Sequence, residues 1–288
     1  MRMTVLRPGP MTVLKDRGRP GYAALGVAPS GAADRAAYDR ANALVGNPPG
    51  AAVLECTLGG LRVRFDAPAV VALTGTDAAL TVAGRRLDPE RAHEVPVGAD
   101  VTVGTPRTGL RSYLAVRGGF DVPPVLGSRS TDHLAGVGPA RPAAGDVLPV
   151  GPNPAAPAAP PPPAAPPAAG GDPVVLEVDL GPRDDWFTDE AVAAFLGATF
   201  TVTPAGDAVG LRLDGPALTR RRTGELPSEG VVRGAVQVPP DGQPIVFQAD
   251  HPVTGGYPVI AVLTPAAADR AAQIRPGRRV RFAEASDA

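Results

Sequence analysis

The sequence predicts a mainly β protein: two strand-rich domains of barrel or sandwich type with a few short helices. Short apolar or alternating runs recur along the chain, each bounded by glycine or proline, among 35 glycines and 36 prolines. Helical patterns are few. Residues 152–173 hold ten prolines and eight alanines in 22 positions, and proline fixes φ and lacks an amide hydrogen, so no regular element propagates there. That segment predicts an extended, semi-rigid linker of polyproline II character between an N-terminal β-barrel domain, 1–151, and a C-terminal one, 174–288. A length of 288 residues also exceeds one typical domain. Closure of the sheets is expected because it removes exposed strand edges.

In the N-terminal part, Val53 to Leu58, Leu61 to Phe65, Val70 to Thr74, Leu80 to Val82, Val101 to Val103 and Leu110 to Val116 are strand-like. Leu61, Val63 and Phe65 alternate with Arg62 and Arg64, which sets one buried and one wet face. A helix is expected from about Arg35 to Val45, capped by Asp34, with Ala37, Ala41, Leu44 and Val45 as its apolar stripe and Gly46 as its stop. In the C-terminal part, Val174 to Val178, Phe200 to Val202, Leu211 to Leu213, Val231 to Val238, Ile245 to Phe247, Val259 to Leu263 and Val280 to Phe282 are candidate strands. Asp189 is expected to cap a helix that stops at Gly197. Thr264-Pro265 opens another, running through Ile274 and stopping before Pro276-Gly277. Trp186 and Phe187 read as core anchors.

Composition excludes several classes. An apolar fraction of 44% and a charged fraction of 20% describe an ordinary folded chain. A net charge of −1 gives no basic footprint for nucleic acid. The N-terminus has no apolar signal-peptide core, and no apolar run approaches the roughly 18 residues of a membrane span. A cytoplasmic location is therefore expected, consistent with a single cysteine, Cys56, which suits a buried strand position. Lys15 is the only lysine and is followed by Asp16, so no P-loop exists. His93, His133 and His251 are widely separated, and no metal site is expected.

Three segments could carry chemistry. The first runs from Asp16 to Tyr22 and on to Ser30-Gly31-Ala32-Ala33-Asp34. Its glycines permit close backbone approach, Arg19 suits a carboxylate, and Ser30 and Asp34 flank a helix start. Tight turns with a helix cap explain it equally well. The second, Gly127 to Asp132, places Arg129 among three hydroxyls that could cradle an anion, or form an ordinary turn. The third joins Ser228-Glu229-Gly230, Gly234 to Pro239 and Gln248 to Pro258. There Glu229, Asp250 and His251 are candidate acid/base groups, Gln237 and Thr254 supply hydrogen bonds, and Gly255-Gly256 an amide pair beside Tyr257.

Taken in order, these strings resemble one family. They are Asp16 to Tyr22, Ser30 to Asp34, Ala41-Asn42, Gly46-Asn47, Glu55, Gly127 to Thr131, Gly181-Pro182-Arg183, Gly234 to Pro240, Thr254 to Pro258 and Gln273 to Gly277. The family is that of the 5-oxoprolinase subunit-C proteins, allophanate hydrolase subunit 2 and the KipA-like antagonists, related to half of the biotin-dependent urea carboxyltransferase domain. The chain departs from its pattern at Lys15, where glutamine is usual, and at Ala208, where arginine is.

The resemblance implies two cyclophilin-like β-barrel domains. It also implies an obligate subunit-B-like partner, a third, subunit-A-like protein, and ATP-driven opening of 5-oxoproline to glutamate, with ATP bound by or shared with a partner. For that reaction Asp250, His251 and Glu229 are the expected proton-handling residues. Arg19, Ser30, Asp34, Arg129, Gln237, Thr254 and Tyr257 are the expected substrate-binding set, Arg19 and Arg129 holding the substrate carboxylate. Two alternatives are a carboxyltransferase half moving carboxylate from carboxybiotin to a urea-like acceptor, and a non-enzymatic regulatory antagonist.

Overall fold

The computed structural model describes residues 1–154 and 173–286. The Pro/Ala segment expected to be a linker therefore lies almost wholly outside the described residues. The described chain divides into two compact units. The first takes Met1–Arg19, Ser30–Asp132 and the chain from Gly136; the second takes Pro20–Pro29, His133–Ala135 and the C-terminal chain. The expected boundary at 151 is thus too simple, because two short pieces of the N-terminal part group with the second unit.

The first unit holds two sheets. One runs β11 (Val147–Pro149), β1 (Arg2–Pro8), β4 (Leu61–Phe65), β9 (Asp100–Val103), β6 (Leu80–Val82), β7 (Arg85–Leu87). The other runs β2 (Met11–Lys15), β3 (Val53–Thr57), β10 (Arg111–Val116), β5 (Ala69–Thr74), β8 (Ala92–Val95). All pairings in both are antiparallel. Both sheets feed one apolar cluster, with Met3, Val63, Phe65 and Val101 from the first and Leu54, Val71, Leu73 and Leu114 from the second.

Strand β4 alternates as its sequence requires: Leu61, Val63 and Phe65 are buried, whereas Arg62 and Arg64 point to water and pair with Asp100 on β9. Strand β10 is buried at every position. The reason is α1 (Arg35–Val45), whose Ala37, Tyr38, Ala41, Leu44 and Val45 pack on Val53, Ala72, Tyr113 and Ala115, on the sheet face away from Leu54 and Leu114. The helix begins and ends where the sequence says. The Asp34 carboxylate accepts the Ala37 N–H at 2.9 Å, and Gly46 closes the helix at φ 74°, a conformation glycine adopts without steric cost. Asn47 then ties the helix end to the sheet, donating at 2.9 Å to both Asn42 and the Val116 carbonyl.

Cys56 on β3 lies in the cluster between the sheets, fully buried, and burial pushes its thiol pKa up to about 12. Only a thiolate reacts rapidly. We expect no reaction with a thiol-specific disulfide reagent in the folded protein and one equivalent after urea unfolding; rapid labelling of the native state would contradict this burial.

The expected barrel is present in the second unit. Its seven strands close in the order β12 (Val174–Leu180), β19 (Val259–Leu263), β16 (Ala235–Gln237), β17 (Ile245–Phe247), β14 (Gly210–Asp214), β13 (Phe200–Val202), β20 (Arg279–Glu284). The closing pair, β12 with β20, is parallel. A separate ribbon joins β15 (Glu229–Gly230) to β18 (Thr254–Gly255). Phe282 of β20 stacks on Phe195 at 4.3 Å between centroids and meets Phe200 edge-on at 5.8 Å, the aromatic centre of the barrel's core.

Three of the expected elements differ for a reason visible in the local chain. Val231 to Val238 is not one strand, because Gly234 at φ 90° turns the chain between β15 and β16. Helix α2 (Asp189–Gly197) is capped by the Thr188 hydroxyl accepting from Ala191 N–H, so Asp189 is its first residue rather than its cap. Helix α3 (Pro265–Ala271) opens at Thr264-Pro265 but gives way to turns before Ile274.

Candidate functional site

In the first unit, one carboxylate organises the two glycine- and hydroxyl-rich strings. Asp16 follows β2 directly, and its Oδ1 accepts from Gly18 N–H at 2.7 Å, Ser128 Oγ at 2.6 Å and Ser130 Oγ at 2.7 Å. Its Oδ2 accepts from Arg129 N–H at 2.6 Å. Ser130 Oγ in turn accepts from Asp16 N–H at 2.9 Å, and Ser128 Oγ from Ser130 N–H at 3.0 Å. The aspartate is buried, so four donors compensate the desolvation of its charge. Asp16 is absent from the residues expected to act. Its place between a strand and a glycine turn is the signal that could have found it, since aspartate there bonds the amide two residues on.

Around this hub sit four of the expected substrate-binding residues. Ser30 is buried at φ 55°, a left-handed conformation uncommon outside glycine, and Gly31 follows at φ 96° against the Arg17 backbone. Lys15 is buried as well, its ammonium donating to the Thr131 carbonyl at 2.7 Å and lying 3.4 Å from Ser30 Oγ. Arg19 is buried with Asp132, nitrogen and oxygen 4.0 Å apart, and donates to the Ser130 carbonyl.

Two of the four have structural partners that account for them. Asp34 caps α1. Arg129 pairs with Asp121 at 2.6 Å and donates to the Val122 carbonyl at 2.7 Å, so its guanidinium already holds a carboxylate of this chain. That pairing competes with its expected role at the substrate carboxylate.

The remaining expected residues all belong to the second unit. Asp250 is fully buried, its Oδ2 accepting the His133 N–H at 3.1 Å and its own N–H bonded to the carbonyl of Ala208. His251 Nδ1 lies 2.7 Å from the Pro252 carbonyl. A carbonyl only accepts, so Nδ1 carries the hydrogen, and in the neutral ring Nε2 has the lone pair. Gln237 is buried and donates from Nε2 to the Tyr257 carbonyl at 2.8 Å. Gly255 lies so close to the Gln237 amide that no Cβ fits between them. Thr254 is exposed on β18, and Tyr257 presents its ring at 44% exposure.

Glu229 behaves differently from the expected acid/base group. Both of its oxygens pair with Arg183, Nε standing 3.0 Å from each, and that guanidinium lowers the carboxyl pKa. A proton carrier near neutral pH needs the opposite shift, so the ion pair works against the expected acid/base role. The sign of its linkage is clear. A depressed folded pKa contributes stability above the unfolded value of about 4.3 that disappears as pH falls through the folded value. Glu229→Gln is therefore expected to lower the thermal midpoint slightly at pH 7, with the difference closing below about pH 4. A gap that persists at pH 3 would contradict the pairing.

A cavity of ≈ 710 Å³ opens in the same unit, its wall including Arg220, Tyr257, Thr219, Thr223, Glu225 and Asp241. Its volume is that of an ordinary small-molecule site. Sequence reasoning missed Arg220, because nothing in Arg220-Arg221-Arg222 says which side chain turns inward. A smaller hollow of ≈ 270 Å³ lies in the first unit beside Arg129 and Asp121. Among the described residues no three His, Cys, Asp or Glu side chains gather to hold a metal ion, and no helix is long and apolar enough to cross a membrane.

Comparison with known proteins gives one consistent answer. Residues 25–284 match the family model described as carboxyltransferase domain, subdomain A and B. The chain is 36% identical over 287 residues to the 5-oxoprolinase subunit-C protein of Escherichia coli, covering 99% of this chain and 91% of that protein. It is 29% identical to the 5-oxoprolinase subunit-C protein of Haemophilus influenzae, over 93% and 86% of the two chains. Among solved structures, the K. lactis urea amidolyase superposes with a TM-score of 0.90 at 30% identity, covering 99% of this chain and 19% of that one. TTHA0988 gives 0.86 at 35% identity over 98% of this chain and 55% of its own. The chain thus spans about a fifth of the urea amidolyase and about half of TTHA0988. The resemblance carried by the ordered motifs holds across nearly the whole length: this chain belongs to the carboxyltransferase domain family, subdomain A and B.

Proposed function

We propose that this chain is a component of an ATP-dependent 5-oxoprolinase, opening 5-oxoproline to glutamate together with subunit-B-like and subunit-A-like partners in the cytoplasm. The observation that carries the reading is the near full-length identity to proteins named as the subunit-C component of 5-oxoprolinase. A lactam is a resonance-stabilised amide, and its hydrolysis consumes one water while a proton must reach the departing ring nitrogen. Coupling to ATP hydrolysis makes the opening favourable. In this reading His251 moves that proton through Nε2, its ring oriented by the Nδ1 bond to Pro252, and the buried Asp250 supports the same segment.

ATP does not suit the second unit's cavity. A triphosphate brings about four negative charges to a wall with one arginine and two carboxylates. We assign the nucleotide to the assembled complex, and the chain alone is expected to be inactive. The test is reconstitution with the partner proteins. Glutamate release that requires ATP, 5-oxoproline and every component supports the reading; no glutamate from the complete complex overturns it.

A second reading is carboxyl transfer from carboxybiotin to a urea-like acceptor. It is favoured by the TM-score of 0.90 to the urea amidolyase and by the family's description. It predicts a biotinylated partner, so an avidin blot of the native complex that stays blank removes it.

A further inference from the structure

Three successive arginines in the second unit have different fates. Arg221 pairs with Asp189 at 2.6 Å, and Arg222 pairs with Asp185 at 2.8 Å while lying over the Trp186 ring. Arg220 makes no ion pair among the described residues. Its Nη2 donates to the Val238 carbonyl, its guanidinium carbon stands 5.9 Å from the Tyr257 ring centroid, and its Nε is buried without a hydrogen-bond partner. Burial lowers its pKa, the mark of a cation short of compensation. Leaving a guanidinium in that condition is costly unless something else supplies the acceptor.

The wall around it narrows the chemistry. Tyr257 offers an aromatic face, and its backbone carbonyl accepts from the buried Gln237. Thr219 and Thr223 supply hydroxyls, and Glu225 and Asp241 supply acceptors. Two carboxylates with one guanidinium disfavour a polyanion. They suit a small ligand with one carboxylate and at least one N–H donor.

We propose that this cavity is the substrate subsite, in which Arg220 takes the carboxylate of 5-oxoproline and the Tyr257 ring packs on the lactam methylenes; the choice of ligand rests on the 5-oxoprolinase reading. The cation that reads the carboxylate is then neither Arg19 nor Arg129.

The test compares the reconstituted complex carrying Arg220→Met with wild type and with the control Arg221→Gln. 5-Oxoproline is the substrate, and 2-pyrrolidinone, the same lactam without the carboxylate, is assayed as a competitor. Losing a charge-assisted bond to the carboxylate is expected to raise KM for 5-oxoproline about 30-fold, leaving the 2-pyrrolidinone inhibition constant unchanged and Arg221→Gln at wild-type values. Equal changes for both ligands, or no change for either, overturn the subsite.

Should Arg220→Met fold poorly, Tyr257→Ala removes an exposed ring and is expected to raise KM about tenfold; an unchanged KM counts against the proposal. If the wild-type complex releases no glutamate, the reaction assignment fails separately. The subsite is then judged by titrating 5-oxoproline into the complex: binding that Arg220→Met abolishes sustains it, and binding that is absent or unaffected overturns it.

Discussion

Replacing Asp16 by alanine is expected to lower the thermal midpoint of the protein by about 10 °C and to reduce its soluble yield. The carboxylate accepts four hydrogen bonds from two separate stretches, at Gly18 and at Ser128-Arg129-Ser130. Alanine leaves the Gly18 and Arg129 amides and two hydroxyls without their acceptor, in a place water does not reach freely. The loss is about 3–5 kcal/mol, the range for removing one partner of a buried charged network. Asp16→Asn preserves volume but substitutes a donor for one acceptor oxygen. The serine hydroxyls can turn; the backbone amides cannot. We therefore expect asparagine to fall between wild type and alanine. Differential scanning calorimetry of the three proteins decides the matter, and a midpoint for alanine within about 2 °C of wild type would remove Asp16 as the organiser of this cluster.

His251→Asn in the reconstituted complex is expected to reduce kcat by a factor of about 10² to 10⁴, with KM for 5-oxoproline and the thermal midpoint near their wild-type values. Asparagine is chosen because its amide nitrogen stands close to where Nδ1 stood, so the bond to the Pro252 carbonyl can be kept. What disappears is Nε2, the nitrogen assigned to proton transfer. A purely structural histidine would show the reverse, a lowered midpoint and an intact kcat. Full turnover in this variant would sink the proposed role and leave the family assignment standing.

Much of the local structure was legible because it is settled by neighbours in the chain. Asp34 and Gly46 bracket α1 by capping chemistry that acts over three or four residues, and the alternation of Leu61, Val63 and Phe65 with arginines marks β4 by the two-residue period of a strand. The errors also have local causes. Thr188 competes with Asp189 for one cap, and Gly234 sits inside a strand-like run although it turns the chain.

The candidate site was less legible for a different reason. The candidate segments were visible as segments, and the structure gathers their residues within each unit. What the sequence could not disclose is the pairing of polar groups brought together by tertiary structure: Arg183 with Glu229 across 46 positions, Asp16 with Ser128 across 112. Such pairs decide whether a carboxylate is a proton carrier, a hub or an ion-pair partner. For the same reason Arg220 is not distinguished in the sequence from the two arginines that follow it, which the folded chain neutralises.

The buried position of Lys15 has a consequence for the chemistry of the protein's exterior. It is the only lysine in the sequence, and the folded chain encloses its ammonium against Thr131 and Ser30. Every other side-chain cation apart from the three histidines is a guanidinium, which stays protonated and is a poor nucleophile. The native surface consequently offers no lysine amine to acylation, reductive methylation or isopeptide attachment, and amine-directed cross-linkers have no lysine here to join to a partner protein. Carboxylate- or arginine-directed reagents are the ones that would map how this chain meets its neighbours.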